Sequence, residues 1–124
     1  KKALIVNSED GLDEISPYAK TNIVELDGKN IKEFILDPKE IGINANNINN
    51  IIGKEPEYNS EKIREVFNGK DNDFSIAICL NAAAGLLVAD KTNSFKEGYD
   101  QLRKHILSGK VENYLLKLVK WITH

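Results

Sequence analysis

Sulfur is almost missing from this sequence. Methionine does not occur and Cys79 is the single cysteine, which excludes an intrachain disulfide. Its apolar neighbours Ile76, Ala77, Ile78 and Leu80 predict a buried small side chain rather than a reactive thiolate. A reducing cytoplasm is the expected compartment. Basic charge is not in excess either: the formal net charge is -2, which offers no basic face, so no nucleic-acid partner is expected. Long hydrophobic runs are lacking as well. The longest, Ile76 to Ala89, is broken by Asn81 and falls short of the roughly 20 residues of a spanning helix, so no membrane partner is expected. Lys1-Lys2 lead straight into an apolar run, without the pattern of a secretory leader. An opening without methionine predicts a piece of a longer protein.

What is present is ordinary in bulk and pointed in one place. With 41% hydrophobic and 29% charged residues over 124 positions, the chain can form one domain with a real core. The pointed stretch is Glu9 to Ser16, where four carboxylates (Glu9, Asp10, Asp13, Glu14) fall within six positions directly after Ala3-Leu4-Ile5-Val6. That is a strand feeding an acidic loop, and loops beyond strand ends carry the chemistry of many α/β proteins. Asp13 and Glu14 are adjacent. In a regular strand they would point to opposite faces, so both can reach one ligand only where the backbone turns, which Gly11 allows. Mg²⁺ is commonly held by one or two carboxylates plus water and substrate phosphates, and two adjacent carboxylates on a loop fit that demand. Spacing alone equally fits an acidic surface loop that only confers solubility.

Along the chain, Ala3 to Asn7 reads as a short buried strand with a continuous apolar run. Thr21 to Leu26, the turn signal Asp27-Gly28, and Asn30 to Leu36 read as a β-hairpin that Pro38 ends. Gly42 to Ile52 reads as an extended stretch followed by one short helix stopped by Gly53 and Pro56. Ser60 is the expected cap of a helix built on Ile63, Val66 and Phe67 and closed by Gly69. A helix from about Asp73 to Asp90 carries the small run Ala82-Ala83-Ala84-Gly85, which predicts a buried central helix approached closely by another element. Ser94 and Glu97 have capping-box spacing for a helix ending near Ser108-Gly109. A last helix, Val111 to Ile122, sets Leu115, Leu118, Val119 and Ile122 on one face. The fold class is therefore α/β, with a short strand, a β-hairpin and several helices.

Other polar residues invite plainer readings. His105, flanked by Arg103 and Lys104, reads as a solvated helix residue, and His124 as a terminal one. Asn81 amid alanines must find hydrogen-bond partners: it either braces the acidic loop or makes a simple helix-to-loop bond. Ser16 is a candidate to cap or brace the loop, and Lys20 or Lys1 to attract phosphate. None of these is expected to be catalytic.

The segment Asp10-Gly11-Leu12-Asp13-Glu14-Ile15-Ser16 resembles the Asp-Gly-Leu-Asp-Glu-(Ile/Val)-Ser signature of the anthranilate phosphoribosyltransferase family of group-3 glycosyltransferases. Downstream, Leu36-Asp37-Pro38-Lys39-Glu40-Ile41-Gly42 and Leu80-Asn81-Ala82-Ala83-Ala84 are similar to family segments in the same order, as are Ser94 to Gly98 and Ser108-Gly109. The resemblance implies the C-terminal portion of a nucleoside phosphorylase/phosphoribosyltransferase-like α/β domain. Residues 1–124 would form a single partial domain, with the helical small domain and glycine-rich phosphate loop upstream. It implies transfer of a phosphoribosyl group from phosphoribosyl pyrophosphate to anthranilate in tryptophan biosynthesis, with Mg²⁺ as cofactor and Asp13 and Glu14 as its ligands. A homodimer is implied for the complete protein, and an inactive fragment for this chain alone. Substrate-binding residues find no match. One departure stands out: Asn7-Ser8 occupies the place of the family's His-Gly. The alternatives are a pyrimidine nucleoside phosphorylase-like enzyme and a non-catalytic, nucleic-acid-binding relative.

Overall fold

Strand β1 (Lys2–Ser8) does not stand apart from the hairpin. In the computed structural model, which describes residues 1–45 and 47–123, it pairs antiparallel with β2 (Thr21–Asp27), which pairs antiparallel with β3 (Asn30–Leu36). The register runs Ser8 to Thr21 to Leu36 at one end and Lys2 to Asp27 to Asn30 at the other. The two-residue turn Gly28-Lys29 joins β2 to β3 as Asp27-Gly28 predicts. Expected as a strand buried on both faces, β1 instead alternates: Leu4 and Val6 face the core while Ile5 is 71% exposed. The apolar run misleads because Ala3 and Ile5 belong to the opposite sheet face, which none of the described residues covers.

After β3 comes a 3-10 turn at Pro38–Ile41, capped by the Asp37 side chain on the Lys39 amide at 3.0 Å. A second spans Ile48–Ile51, the short helix expected in the asparagine-rich stretch. Helix α1 (Pro56–Phe67) begins four residues before the expected cap, so Ser60 lies inside it. Pro56, read as a stop, is instead a start: it occupies the first turn, where its missing N–H is no loss and its fixed φ suits the helix.

Helix α2 (Asp73–Val88) opens with a capping box in which Asn72 accepts from the Ser75 amide and Ser75 accepts from the Asn72 amide. Helix α3 (Phe95–Leu107) is capped by Ser94, which accepts from the Glu97 amide. The Glu97 carboxylate reaches past the cap to the Asn93 amide at 3.0 Å, so the reciprocal half of the expected box is displaced by one residue. Helix α4 (Lys110–Ile122) follows.

The core has two parts that share α2. Ile15, Ile23, Leu36, Ile43, Leu80, Ala83 and Phe95 form one cluster beneath the sheet; Val66, Cys79 and Ile106 form the other among the helices. Helix α2 is thus the buried central helix expected, and Cys79 is fully buried. Its small residues work at one point in particular. A Cβ on Gly98 of α3 would lie 3.2 Å from Ala83 Cβ, so the two helices touch backbone to backbone there. The apolar face expected on α4 is largely uncovered: Leu115 is half-buried, while Leu118, Val119 and Ile122 are 41%, 47% and 67% exposed. Only its first turn, through Val111, joins the second cluster.

Candidate functional site

The acidic loop spans the gap from the end of β1 to the start of β2, and its shape follows from its own side chains. Gly11 turns the chain with φ +89°, while the Gly11 amide bonds to Ser8 O at 3.1 Å and the Ser8 amide to Leu12 O at 3.1 Å. Asp10 caps this turn from within: its Oδ1 accepts from the Leu12 amide at 3.3 Å and its Oδ2 from the Ser16 hydroxyl at 2.6 Å. Burial works against the Asp10 charge, but the hydroxyls of Ser16 and Ser8 and the Leu12 amide outweigh it and hold its carboxyl below the usual carboxylate range. Ser16, fully buried, also accepts from the amides of Tyr18 at 3.0 Å and Ala19 at 3.3 Å. The reading of Ser16 as a loop brace holds.

Two further anchors come from the body of the domain. Asn81 on α2 pairs with Ile15 in both directions, Oδ1 accepting from the Ile15 amide and Nδ2 donating to the Ile15 carbonyl, each at 2.9 Å. The Ile15 side chain is 1% exposed. Burying it contributes about 1.5–3 kcal/mol, and the two hydrogen bonds together about 1–3, so packing and Asn81 tether this residue jointly, with Asn81 setting its orientation. The Ser16 amide donates to Thr21 Oγ1 at 3.2 Å, tying the loop to β2.

Between these fixed points stand Asp13 and Glu14, both exposed. Among the described residues neither enters an ion pair. Asp10, in contrast, spends both oxygens inside the loop. No group of three or more His, Cys, Asp or Glu gathers to enclose a metal among the described residues, so a closed protein cage is not what this loop offers. A pair of free carboxylates beside a rigid turn suits a hard cation that keeps water and takes its other oxygens from a phosphate ligand. The donor set fits Mg²⁺.

A neighbouring network escaped the sequence reading. Tyr18 donates from its hydroxyl to Asp73 Oδ2 at 3.0 Å, and Asn50 Nδ2 donates to the same oxygen at 2.7 Å. Burial and the Asp73 carboxylate raise the Tyr18 pKa, so the phenol stays a donor. Only the position of Asp73 in the first turn of α2, where negative charge is favoured, was a visible signal; its partners are remote in sequence. Arg103 of α3 likewise reaches Ser75 Oγ at 2.6 Å and Asp71 at 2.5 Å, bracing the start of α2. The Cys79 thiol is pushed up to about 11 by burial, with Arg103 opposing, as befits a packing residue.

Lys20 is 3.9 Å from Asp37, and the Lys1 carbonyl accepts from the Gly28 amide at 2.9 Å. His105 is exposed near the end of α3, as expected; His124 lies outside the described residues.

Known proteins match the chain over most of its length. The family model described as glycosyl transferase family, a/b domain, matches residues 1–112. The anthranilate phosphoribosyltransferase of Pelagibacter ubique is 52% identical over 118 residues, covering 95% of this chain and 36% of that protein. Among solved structures, the anthranilate phosphoribosyltransferase of Thermus thermophilus superposes with TM-score 0.88 at 30% identity, covering 99% of this chain and 36% of its own. The Saccharomyces cerevisiae enzyme in complex with 4-fluoroanthranilate gives TM-score 0.88 at 26% identity, with the same coverage. In complex with PRPP and Mg it gives 0.77 at 28%, over 89% of this chain and 32% of its own. The chain thus spans about a third of the length of these relatives. Each of them is an anthranilate phosphoribosyltransferase, which disfavours the phosphorylase-like and nucleic-acid-binding alternatives. With nearly all of its strands and helices inside that one match, the chain belongs to the glycosyl transferase family, a/b domain.

Proposed function

We propose that this chain is the C-terminal part of the α/β domain of an anthranilate phosphoribosyltransferase, and that Asp13 and Glu14 hold its Mg²⁺. The observation that carries the reading is the contrast within one loop: Asp10 is consumed by Ser16 and the Leu12 amide, while Asp13 and Glu14 are exposed and held between anchored neighbours. Relatives solved with PRPP and Mg and with 4-fluoroanthranilate support it.

In the proposed reaction the anthranilate amino nitrogen attacks the anomeric carbon of phosphoribosyl pyrophosphate. The bond from that carbon to the pyrophosphate oxygen breaks, and the amine loses a proton. Mg²⁺, when bound, neutralises negative charge that grows on the departing pyrophosphate. Asp13 and Glu14 serve as fixed negative charge and not as proton acceptors. An amine attacking a centre with carbocation character needs little activation, so the protein's task is positioning and electrostatics. The glycine-rich phosphate loop, the anthranilate-binding residues and the helical small domain belong to the remaining two thirds of the enzyme. The complete protein works as a cytoplasmic homodimer in tryptophan biosynthesis, and the isolated 124 residues catalyse nothing measurable.

The test is calorimetric titration of Mg²⁺ into the complete enzyme with phosphoribosyl pyrophosphate present, comparing the native protein with Asp13→Asn plus Glu14→Gln. Loss of metal-dependent binding is expected. Unchanged binding would reduce the loop to a solvated turn.

A further inference from the structure

We propose that Asn81 is a positioning residue for the Asp13–Glu14 carboxylates, acting from α2 through the backbone of Ile15; the inference rests on the metal-holding role proposed above. Its geometry exceeds what a simple helix-to-loop bond requires. One side-chain amide takes both backbone groups of a single residue, at 2.9 Å each, as a neighbouring strand would. The same Nδ2 also donates to the Ala77 carbonyl one turn back on α2, at 3.0 Å, which locks the amide against rotation.

The location matters as much as the bonds. Ile15 directly follows Glu14, and Leu12, which directly precedes Asp13, has its amide on Asp10 Oδ1 and its carbonyl on the Ser8 amide. The two exposed carboxylates therefore sit on a two-residue crown whose ends are both pinned. One end is pinned by the loop itself. The other is pinned at Ile15, the residue that bounds the crown, by Asn81, the one side chain from the helical layer that hydrogen-bonds Ile15 among the described residues. A carboxylate pair that must converge on one cation gains affinity when its backbone is already in place, since less is lost on ordering it. Residues that orient metal ligands typically alter affinity by about 10–100-fold when changed.

Two substitutions separate positioning from mere folding. Asn81→Ala removes all three bonds. Asn81→Gln keeps the amide and suits a helix, but its extra methylene displaces both atoms from Ile15, so it should fold. In the complete enzyme, calorimetric titration of Mg²⁺ with phosphoribosyl pyrophosphate present is expected to show about 10-fold or greater weakening in both variants. The Ile15 amide should exchange its hydrogen faster in the metal-free state, and the KM for anthranilate should not change. Native Mg²⁺ affinity in a folded Asn81→Gln protein with accelerated Ile15 exchange would overturn the inference. So would an anthranilate KM that rises in step with the loss of metal, which marks general loosening. The Asp13→Asn plus Glu14→Gln control keeps the two readings apart. If it binds Mg²⁺ normally the metal assignment itself fails; if it loses Mg²⁺ while both Asn81 variants keep it, only the positioning role fails.

Discussion

At Ser16 one hydroxyl serves three partners, donating to Asp10 and accepting from the Tyr18 and Ala19 amides. Because Ser16 is fully buried, Ser16→Ala leaves the Tyr18 and Ala19 amides without their partner, while the carboxylate of Asp10, an exposed residue, can turn to water. The expected cost is roughly 1–3 kcal/mol, the range for a buried group left unsatisfied, read as a lower urea midpoint in the complete protein. The bond to Asp10 makes part of that cost depend on pH. The folded-state pKa of Asp10 is lowered, so its contribution is present above the unfolded carboxylate value of about 3.9 and is lost as pH falls through the folded value. The penalty of Ser16→Ala should therefore shrink in acid but not vanish, because the two amides do not titrate. At this scale much was readable beforehand. Ser16 and Asn81 were legible as braces because a hydroxyl near a turn and an amide among alanines must bond to something. Tyr18 on Asp73 was not, since fifty-five positions separate them and no local pattern links them.

Between elements, the Ala83–Gly98 contact decides how α2 and α3 meet. Gly98 lies inside α3, where Ala would be favoured by about 1 kcal/mol on helix propensity alone. Against that, the new Cβ would lie 3.1 Å from Thr92 Cγ2 and 3.2 Å from Ala83 Cβ, so its neighbours must give by a few tenths of an ångström. These effects are of similar size, and Gly98→Ala is expected to fall within about 1 kcal/mol of neutral. Gly98→Leu adds bulk that the junction cannot accept and should cost roughly 1–3 kcal/mol by overpacking, measured by the same urea unfolding. A gain for Ala on propensity together with no loss for Leu would mean the helices do not pack here. Element boundaries were legible where a side chain makes the cap, as at Ser94, and illegible where one residue type has two uses. Proline both stops helices and starts them, and at Pro56 only the tertiary position of α1 chooses. Pairing of β1 with β2 was hidden for another reason: antiparallel return across the long acidic loop has no turn signature, unlike Gly28-Lys29.

For the whole molecule, the outer face of the sheet decides how this chain behaves by itself. Ile5, Ile31 and Ile35 are 71%, 70% and 55% exposed and lie with Val24 and Leu26 on the face away from the helices, next to the free edge of β1. An apolar sheet face with an unpaired edge strand is a template for association. The isolated chain is expected to associate with itself as concentration rises, seen as a growing sedimentation coefficient, and Ile5→Lys with Ile35→Lys should reduce that association. In the complete enzyme the same pair should instead destabilise, because there the proposed remainder of the α/β domain covers this face and two lysines would be buried beside apolar neighbours. The opposite signs make the comparison decisive. If the double variant leaves the complete protein as stable as before, the face is solvated there too, and the domain is not completed across this side of the sheet.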